Sequence, residues 1–246
     1  GWLGGSSHLE DLKLLEGLVD KFQNDGLLDK IQMVLCGFDL RGTMTMIDQK
    51  TGEQKQRPIL PKESVWYKYE QIFTKDYKSV SDNYRKFLNE FTKEGADEFK
   101  DEAYRRVWTK PITSYASNYN LFDISLAPII ENKFNEVKSQ LKVIEAGFHK
   151  KAIIAQDFGP YQIDLVNAIE KGGGINEKGN AILVESKKNH KDWYKGIKKL
   201  VQNPELIEVL GNNLFETVNG MYDADSVANT RRDLYKKLVK KLETVE

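Results

Sequence analysis

Apolar residues recur at two different spacings along the chain, and the change from one spacing to the other predicts strands that alternate with helices. Residues 2–3 begin a short strand, and after a glycine turn residues 8–24 carry apolar side chains at a helical period. Residues 30–38 are a continuous apolar run between turn residues, which is typical of a strand buried on both faces. Strand, helix and strand in this order predict a right-handed βαβ unit.

The middle of the chain breaks this rhythm. Residues 39–64 are polar and contain two prolines, so we interpret them as an excursion or a hairpin flap. Residues 64–73 are predicted as a strand or extended segment, and residues 113–121 as a short helix. A short strand is expected over 104–112, ending at Pro111. The helix predicted over 78–102 carries four large residues at helical spacing: Tyr84, Phe87, Leu88 and Phe91.

The second half alternates more regularly. A chain in which strands and helices alternate forms a mostly parallel sheet with helices on both faces. We therefore expect one three-layer α/β/α domain over 1–246, with a ligand site outside the carboxyl ends of its strands. The strands are predicted over 122–129, 150–158 and 181–186, and the helices over 135–149, 190–203, 204–222 and about 224–245.

Composition narrows the possible classes of function. The 246 residues are 40% hydrophobic and 30% charged, which is typical of a soluble globular protein. The 37 basic and 37 acidic residues balance, so we expect no nucleic-acid partner. The one cysteine, Cys36, excludes an intramolecular disulfide and suits a buried position in a reducing compartment.

The cellular location follows from what the sequence does not contain. No apolar run reaches the roughly 18–20 residues of a membrane-spanning helix, and no signal peptide is visible, so we expect a cytoplasmic protein. Because the chain opens within a strand pattern and without an initiator Met, we also expect it to be a piece of a longer protein.

The predicted helix over 135–149 is the first candidate site. Asn135 is a suitable N-cap, which would place Lys138 and Ser139 in a first helical turn that favours a diphosphate. Glu145 would follow about 10 Å further along, within reach of a ribose. A solvated face with Lys–Glu pairs remains the alternative. The core-facing stripe of this helix is predicted as Val137, Leu141, Ile144 and Phe148, next to a face with Lys138, Lys142 and Glu145.

The glycine turn after the first strand is the second candidate site. Gly4 and Gly5 would let the backbone approach a ligand closely, and a plain tight turn is the alternative. His8 could donate to a phosphate, act as an acid or base, or simply cap the helix. Residues 156–161 end a predicted strand and are a third candidate, with a turn as the alternative. The three histidines and the cysteine have no zinc-like spacing, so we expect no metal.

The predicted terminal helix has a basic face. Such a face could contact anionic lipid at a membrane surface, or it could simply be solvated. The cations recur in pairs along the helix: Arg231, Arg232, Lys236, Lys237, Lys240 and Lys241.

Taken together, these stretches resemble the C-terminal, donor-binding domain of GT-B glycosyltransferases of the glycogen-synthase-like, retaining family. The stretch "GWLGGSSHLEDLKLL" resembles the opening strand, glycine turn and helix of that domain. The stretch "DISLAPIIENKFNEVKSQLKVIEAGFHKKAIIAQDFGPY" resembles its nucleotide-sugar segment, and the long last helix also fits, because in this fold the final helix returns towards the partner domain. The resemblance covers essentially the whole chain and implies a Rossmann-like fold.

The resemblance implies roles for individual residues. Glu145 matches the second Glu of the family's Glu-x7-Glu motif, which implies ribose binding. Lys138 and Ser139 match positions that face the diphosphate. The strand end that meets the base corresponds to Pro111 and Ile112, and the first turn of the domain to Gly4, Gly5 and Ser6.

Two features depart from the family pattern. Val137 occupies the position of the first Glu of the motif, so Asn132, Asn135 or Lys138 would have to replace it. The family's Arg and Lys pair after the first strand is also absent, and Lys138 and Lys142 are expected to supply that positive charge.

The resemblance implies a domain that binds a nucleotide-sugar donor, without metal or cofactor. Its enzyme would transfer the sugar to a glycan, lipid or polysaccharide acceptor, with cell-surface polysaccharide or glycoconjugate synthesis as the setting. The N-terminal acceptor-binding domain lies outside this chain, so we expect donor binding with poor turnover. The alternatives are a non-catalytic nucleotide-sugar-binding or assembly module, and part of a GT-B-type sugar-nucleotide epimerase.

Overall fold

The computed structural model describes residues 1–39, 41–74, 97–98, 103–185 and 190–243. The helix predicted over 78–102 lies outside the described residues except at positions 97–98, which form a short strand.

Two groups of mostly parallel strands form the centre of the molecule. The first group has the order β1-β2-β6-β5, and only β5 runs antiparallel to its neighbour. The second group is β7-β8-β9, all parallel. The bounds are Trp2–Leu3 for β1, Met33–Phe38 for β2, Asp97–Glu98 for β5, Tyr104–Trp108 for β6, Ile124–Ala127 for β7, Ala152–Gln156 for β8 and Ile182–Val184 for β9.

Gly1 joins the two groups of strands. Its amino group donates to the carbonyl of Ile124 at 2.6 Å, and the N–H of Leu126 donates to the carbonyl of Gly1 at 2.8 Å. This is the parallel hydrogen-bond pattern, so the strands follow one another as β9-β8-β7-β1-β2-β6-β5. The first strand, β1, thus lies in the middle of the sheet. The next strands extend the sheet on one side of β1, and β7 to β9 extend it on the other side, so the strand order reverses between β1 and β7. The fold is a Rossmann-like α/β domain, as the alternation of elements predicted.

A separate hairpin lies within the segment interpreted as an excursion. Strands β3 (Thr43–Ile47) and β4 (Gln54–Pro58) pair antiparallel and are mostly exposed.

Helices connect the strands and cover the sheet. They are α1 (Leu9–Leu12), α2 (Leu18–Asn24), α3 (Val65–Phe73), α4 (Lys133–Glu136), α5 (Leu141–Phe148), α6 (Lys191–Gln202), α7 (Glu205–Val218) and α8 (Ala224–Glu243). Short 3₁₀ turns occur at Lys13–Leu15, Leu28–Lys30, Pro61–Glu63, Tyr115–Leu121 and Gly159–Gln162. None of the helices within the described residues is long and apolar enough to cross a membrane.

The strand prediction for residues 64–73 was wrong, because this segment is helix α3. Its aromatic and β-branched residues favour strands locally, but burial against the sheet decides the conformation. Trp66, Tyr69 and Phe73 are buried at a helical spacing, and the Ser64 hydroxyl accepts from the N–H of Trp66 at 3.2 Å as an N-cap.

The prediction of one continuous helix over 8–24 was also wrong. The segment divides into α1, a 3₁₀ turn and α2, and Gly17 between them has a φ of 88°. This left-handed conformation interrupts a helix and favours glycine. The strand predicted over 104–112 is shorter than expected, because β6 ends at Trp108 rather than at Pro111.

The sheet has a hydrophobic core on each face. Neighbouring residues of a strand point to opposite faces. Trp2 and Leu35 accordingly belong to one core, whereas Leu3 and Cys36 belong to the other. Cys36 is fully buried, as predicted.

Candidate functional site

A cavity of about 370 Å³ opens between β1 and β7, where the order of the strands reverses. It lies at the carboxyl ends of β1 and β7, where open α/β sheets bind ligands. We call it the crevice. It is lined by Gly4, Gly5, Ser7, His8, Asp11, Tyr115, Pro128, Ile129, Phe134, Lys138, Ser139, Leu141, Lys142, Glu145 and Tyr161.

The glycine turn forms one wall of the crevice. Gly4 passes so close to β2 that a Cβ atom on Gly37 would lie 2.4 Å from the carbonyl oxygen of Gly4. Gly37 also has a φ of 95°, so both the contact and the backbone conformation there favour glycine. The N–H groups of Gly5, Ser6 and Ser7 donate to no acceptor within the described part of the chain. They are therefore available to an anionic or polar ligand.

Glu145 of α5 also lines the crevice. Its Oε2 accepts from the hydroxyl of Tyr119 at 2.9 Å. The ring of Tyr119 stacks on the ring of His149, with 5.1 Å between the ring centres. Burial raises the pKa of Glu145, while the Tyr119 hydroxyl and Lys142 act in the opposite direction. Tyr119 holds one carboxylate oxygen and leaves the other for a ligand hydroxyl.

Lys142 supports the end of β1. Its Nζ donates to the carbonyl of Leu3, one residue before the glycine turn, and lies 5.0 Å from the centre of the Trp2 ring. Burial lowers the pKa of Lys142 to about 8, against the opposing effect of Glu145 and Asp11. The lysine predicted to face a phosphate is thus partly engaged inside the protein.

The helix predicted over 135–149 is interrupted. Asn132, not Asn135, is the N-cap, and its side chain accepts from the N–H of Asn135 at 2.8 Å. Helix α4 ends at Glu136 and α5 begins at Leu141, so Lys138 and Ser139 lie in the connection between two helices. They do not occupy a first helical turn, and the helix-rise distance to Glu145 does not apply.

The interruption also overturns the predicted core-facing stripe. Val137 is 80% exposed and Leu141 55% exposed. The residues of α5 that are buried are instead Val143, Ala146 and Gly147. The four residues between the two helices shift the helical phase, so a period counted through them assigns the wrong face. A Cβ on Gly147 would lie 2.6 Å from Val218, which shows how closely α5 packs on α7.

The remaining predicted residues lie away from the crevice lining. Asn132 is exposed, and Pro111 and Ile112 line neither this cavity nor the neighbouring one, with Ile112 89% exposed. Asn135 is buried and uses its side-chain amide within the protein, donating to the carbonyl of Ile130 at 2.9 Å. The structure therefore brings together Gly4, Gly5, Lys138, Ser139, Lys142 and Glu145, and leaves Pro111, Ile112, Asn132 and Asn135 outside.

A second cavity of about 490 Å³ adjoins the first. It shares Gly4, Gly5 and Tyr115 with the crevice and includes Ser6. Its charged rim is internally paired, because Arg41 makes two hydrogen bonds of 2.9 Å to the carboxylate of Asp39.

Several lining residues escaped the sequence-based prediction. Tyr115 and Tyr119 are four residues apart in a segment predicted as a short helix, a spacing that could have placed them on one face. The contact of Tyr119 with Glu145 carries no local signal, because the two residues are 26 positions apart. Asp11 was missed for the same reason, whereas Tyr161 belongs to the third candidate, residues 156–161, and does line the crevice.

The described residues contain no group of three or more His, Cys, Asp or Glu side chains that could hold a metal ion. Donor binding without a metal remains a prediction.

Comparison with known proteins finds likeness in structure but not in sequence. No family model matches the sequence, and no curated protein is similar to it. Sucrose-phosphate synthase from Thermosynechococcus elongatus is similar in structure, with 15% sequence identity and a TM-score of 0.48. The match covers 94% of this chain and 51% of that one, so the chain spans about half the length of this similar structure. At this identity and TM-score the likeness says nothing about substrate or activity.

Proposed function

We propose that this domain binds a nucleotide-sugar donor and serves a glycosyltransferase that transfers the sugar to a glycan, lipid or polysaccharide acceptor. One observation carries the proposal: where the strand order of a Rossmann-like sheet reverses, Glu145 and the glycine turn line one cavity, and one oxygen of the Glu145 carboxylate is available. A carboxylate with a free oxygen suits the two hydroxyls of a ribose.

Other groups of the crevice suit the diphosphate. The unpaired N–H groups of the glycine turn are donors, and Lys138 and Ser139 line the same cavity. Hydrogen-bond donors and cations at this place would stabilise the negative charge that grows on the departing nucleoside diphosphate. Lys142 would contribute mainly by holding the end of β1 in position.

The first test is ligand binding. A thermal-shift panel of UDP, GDP, ADP, CMP and their sugars should contain at least one stabilising ligand. A ligand at 100 times its dissociation constant adds about 2.7 kcal/mol to the free energy of unfolding. If no nucleotide stabilises the chain, the donor-site proposal is wrong.

The second test concerns the ribose. Replacing Glu145 with Ala should weaken binding of the best nucleoside diphosphate by about 10- to 100-fold, because a hydrogen bond to a charged group contributes about 1.5–3 kcal/mol. The 2′,3′-dideoxy form of the same nucleotide should bind wild type and variant equally, since it lacks the hydroxyls that Glu145 would hold. Calorimetry measures both affinities.

Glu136→Ala is the matched control for this test. Glu136 is an exposed carboxylate on α4, close in sequence and outside the crevice lining. It should leave both affinities unchanged. Equal affinity of Glu145→Ala and wild type for the normal nucleotide would remove the ribose assignment.

One observation favours the non-catalytic alternative. Val137 occupies the position of the first Glu of the Glu-x7-Glu motif in the family that the sequence resembles. It is exposed and does not line the crevice. Nucleotide binding without release of nucleoside diphosphate, in a longer form of the protein supplied with a glycan acceptor, would support this alternative.

A further inference from the structure

His8 and Asp11 form a hydrogen-bonded pair at the wall of the crevice. His8 Nδ1 lies 2.8 Å from Oδ2 of Asp11. Because an ionised carboxylate can only accept, the Nδ1–H of His8 donates to it. The other ring nitrogen, Nε2, lies on the opposite edge of the ring and has no hydrogen-bond partner among the residues that the structure describes.

His8 is not an ordinary helix cap. It occupies the N-cap position of α1, but its side chain makes no capping hydrogen bond. The ring is instead directed to Asp11 and packs edge-on against the ring of Trp2, with 5.8 Å between the ring centres. The backbone N–H of His8 donates to the hydroxyl of Tyr69 at 2.8 Å. The residue is thus held through both its backbone and its side chain.

Asp11 is fixed more firmly than a surface carboxylate. Its side chain is 7% exposed. The Oδ1 atom accepts from the N–H of Ile130 at 2.8 Å and from the amide of Asn135 at 3.3 Å, both in the segment that follows β7. With Oδ1 held by this segment, Oδ2 is directed at His8. A buried carboxylate that accepts from one imidazole nitrogen fixes the orientation of the ring and leaves the far nitrogen to a ligand.

The surroundings of His8 suit a phosphate. The glycine turn precedes it, and its unpaired N–H groups border the same cavity. The charged and titratable groups that face it come from every wall: Asp11 from α1, Tyr69 from α3, Lys138 from the turn before α5, and Lys142 and Glu145 from α5. Tyr115 and Tyr161 complete the lining.

We propose that His8 is a general acid of the crevice and that Asp11 is its positioning residue. The inference rests on the proposed function. When the bond between the sugar C1 and the phosphate oxygen breaks, its electron pair stays on that oxygen, and the Nε2–H of His8 gives its proton to the departing diphosphate. The acceptor hydroxyl forms the new bond to C1 and loses its proton, which returns to His8 through solvent. The ring is therefore restored in each turnover.

The first experiment measures binding of inorganic pyrophosphate, which has no ribose or base. Calorimetry compares wild type with His8→Gln between about pH 5.5 and 8.5, the range in which histidine changes its charge. The ratio of the two affinities cancels the titration of pyrophosphate itself. We expect wild type to bind about tenfold more tightly at the acidic end, because a charge-assisted hydrogen bond is lost in the variant, and the ratio to approach one at the basic end.

His190→Gln is the matched control, because His190 precedes α6 and does not line the crevice. It should behave as wild type at every pH. A ratio of one throughout, or a ratio that does not change with pH, would overturn the role of His8. Tight binding of pyrophosphate without binding of any nucleotide would contradict the proposed function and leave the anion contact of His8 intact.

The second experiment uses a longer form of the protein that includes the acceptor-binding domain, and measures cleavage of the nucleotide-sugar that binds best. His8→Gln should lower kcat by about 100-fold or more with little change in KM, because general acid catalysis acts in the transition state. Asp11→Asn should lower kcat by a smaller factor, and its melting temperature checks that the contact with Ile130 is kept. Donor cleavage by His8→Gln at the wild-type rate would show that His8 is no general acid.

Discussion

At the scale of residues, burial opposes the charged form of two neighbouring groups in the crevice. Lys142 and Glu145 are three positions apart on α5, with the pKa of Lys142 lowered to about 8 and that of Glu145 raised. The attraction between the two charges offsets only part of the desolvation. A protein that keeps two partly desolvated charges beside a cavity gives up stability there, as binding sites commonly do.

The lowered pKa of Lys142 predicts a change of stability with pH. Its ordinary pKa is 10.5 and its folded-state pKa is about 8, so its contribution is present above pH 10.5 and is lost as pH falls through 8. Relative to Lys142→Met, wild type should gain on the order of 1–2 kcal/mol in the free energy of unfolding between those values, after a discount for solvent screening. Urea unfolding at pH 7.5 and 10.5 measures this difference.

Lys138→Met is the control for this prediction, because the Lys138 ammonium rests over the ring of Phe134 rather than inside the protein. The difference in the free energy of unfolding between Lys138→Met and wild type should be the same at pH 7.5 and at pH 10.5. A parallel course for Lys142→Met as well would show that the ammonium of Lys142 is solvated.

At the scale of elements, the position of the glycine turn depends on an irregularity in the neighbouring strand. The pairing of β2 with β6 shifts register between Cys36 and Phe38. Gly37 lies at this shift and is the residue that Gly4 approaches. Strand irregularities of this kind commonly lie next to binding sites, where they redirect the backbone.

Replacing Gly37 with Ala should therefore displace the glycine turn. The new Cβ would meet the carbonyl of Gly4, so we expect a loss of about 3 kcal/mol or more in the free energy of unfolding and at least tenfold weaker pyrophosphate binding. Gly26→Ala is the matched control: Gly26 has a φ of 66° but open space around it. It should lose only about 1–2 kcal/mol and bind normally. Equal losses in the free energy of unfolding of the two variants would mean that the backbone conformation, and not the contact with Gly4, causes the loss.

At the scale of the whole molecule, α8 differs from the other long helices. Every residue from Arg231 to Lys241 is exposed, whereas α6 and α7 bury apolar residues against the sheet. The exposed side chains include four large apolar ones, Leu234, Tyr235, Leu238 and Val239, among the six cations of the basic face. A helix with this composition can lie at an anionic membrane surface.

Peripheral contact with a membrane remains a prediction, and removal of residues 231–246 tests it. The intact chain should sediment with phosphatidylglycerol vesicles at low salt, much less at high salt, and not with phosphatidylcholine vesicles. The shortened chain should not sediment. Its melting temperature should stay within about 2 °C of wild type, because every side chain from Arg231 to Lys241 is exposed. If the intact chain does not sediment with anionic vesicles, the basic face is simply solvated.

Periodicity and apolar runs in the sequence were enough to establish the architecture. Strands β2, β8 and β9 are buried on both faces, and such strands appear as continuous apolar runs whatever lies around them. Their alternation with helices predicts a mostly parallel, three-layer arrangement. The position of Gly4 and Gly5 at the carboxyl end of β1 follows from that arrangement, and the structure places them and Glu145 of α5 around one cavity.

Contacts between distant segments could be decided only by the tertiary structure. Residues 64–73 have the local preferences of a strand, but burial of one helical face outweighs them. The break before α5 and the pairing of Asp11 with the segment after β7 involve partners up to 124 positions away. A local pattern records which residues avoid water. It does not record which distant residue meets them, and the side chains of the crevice are arranged by those long-range contacts.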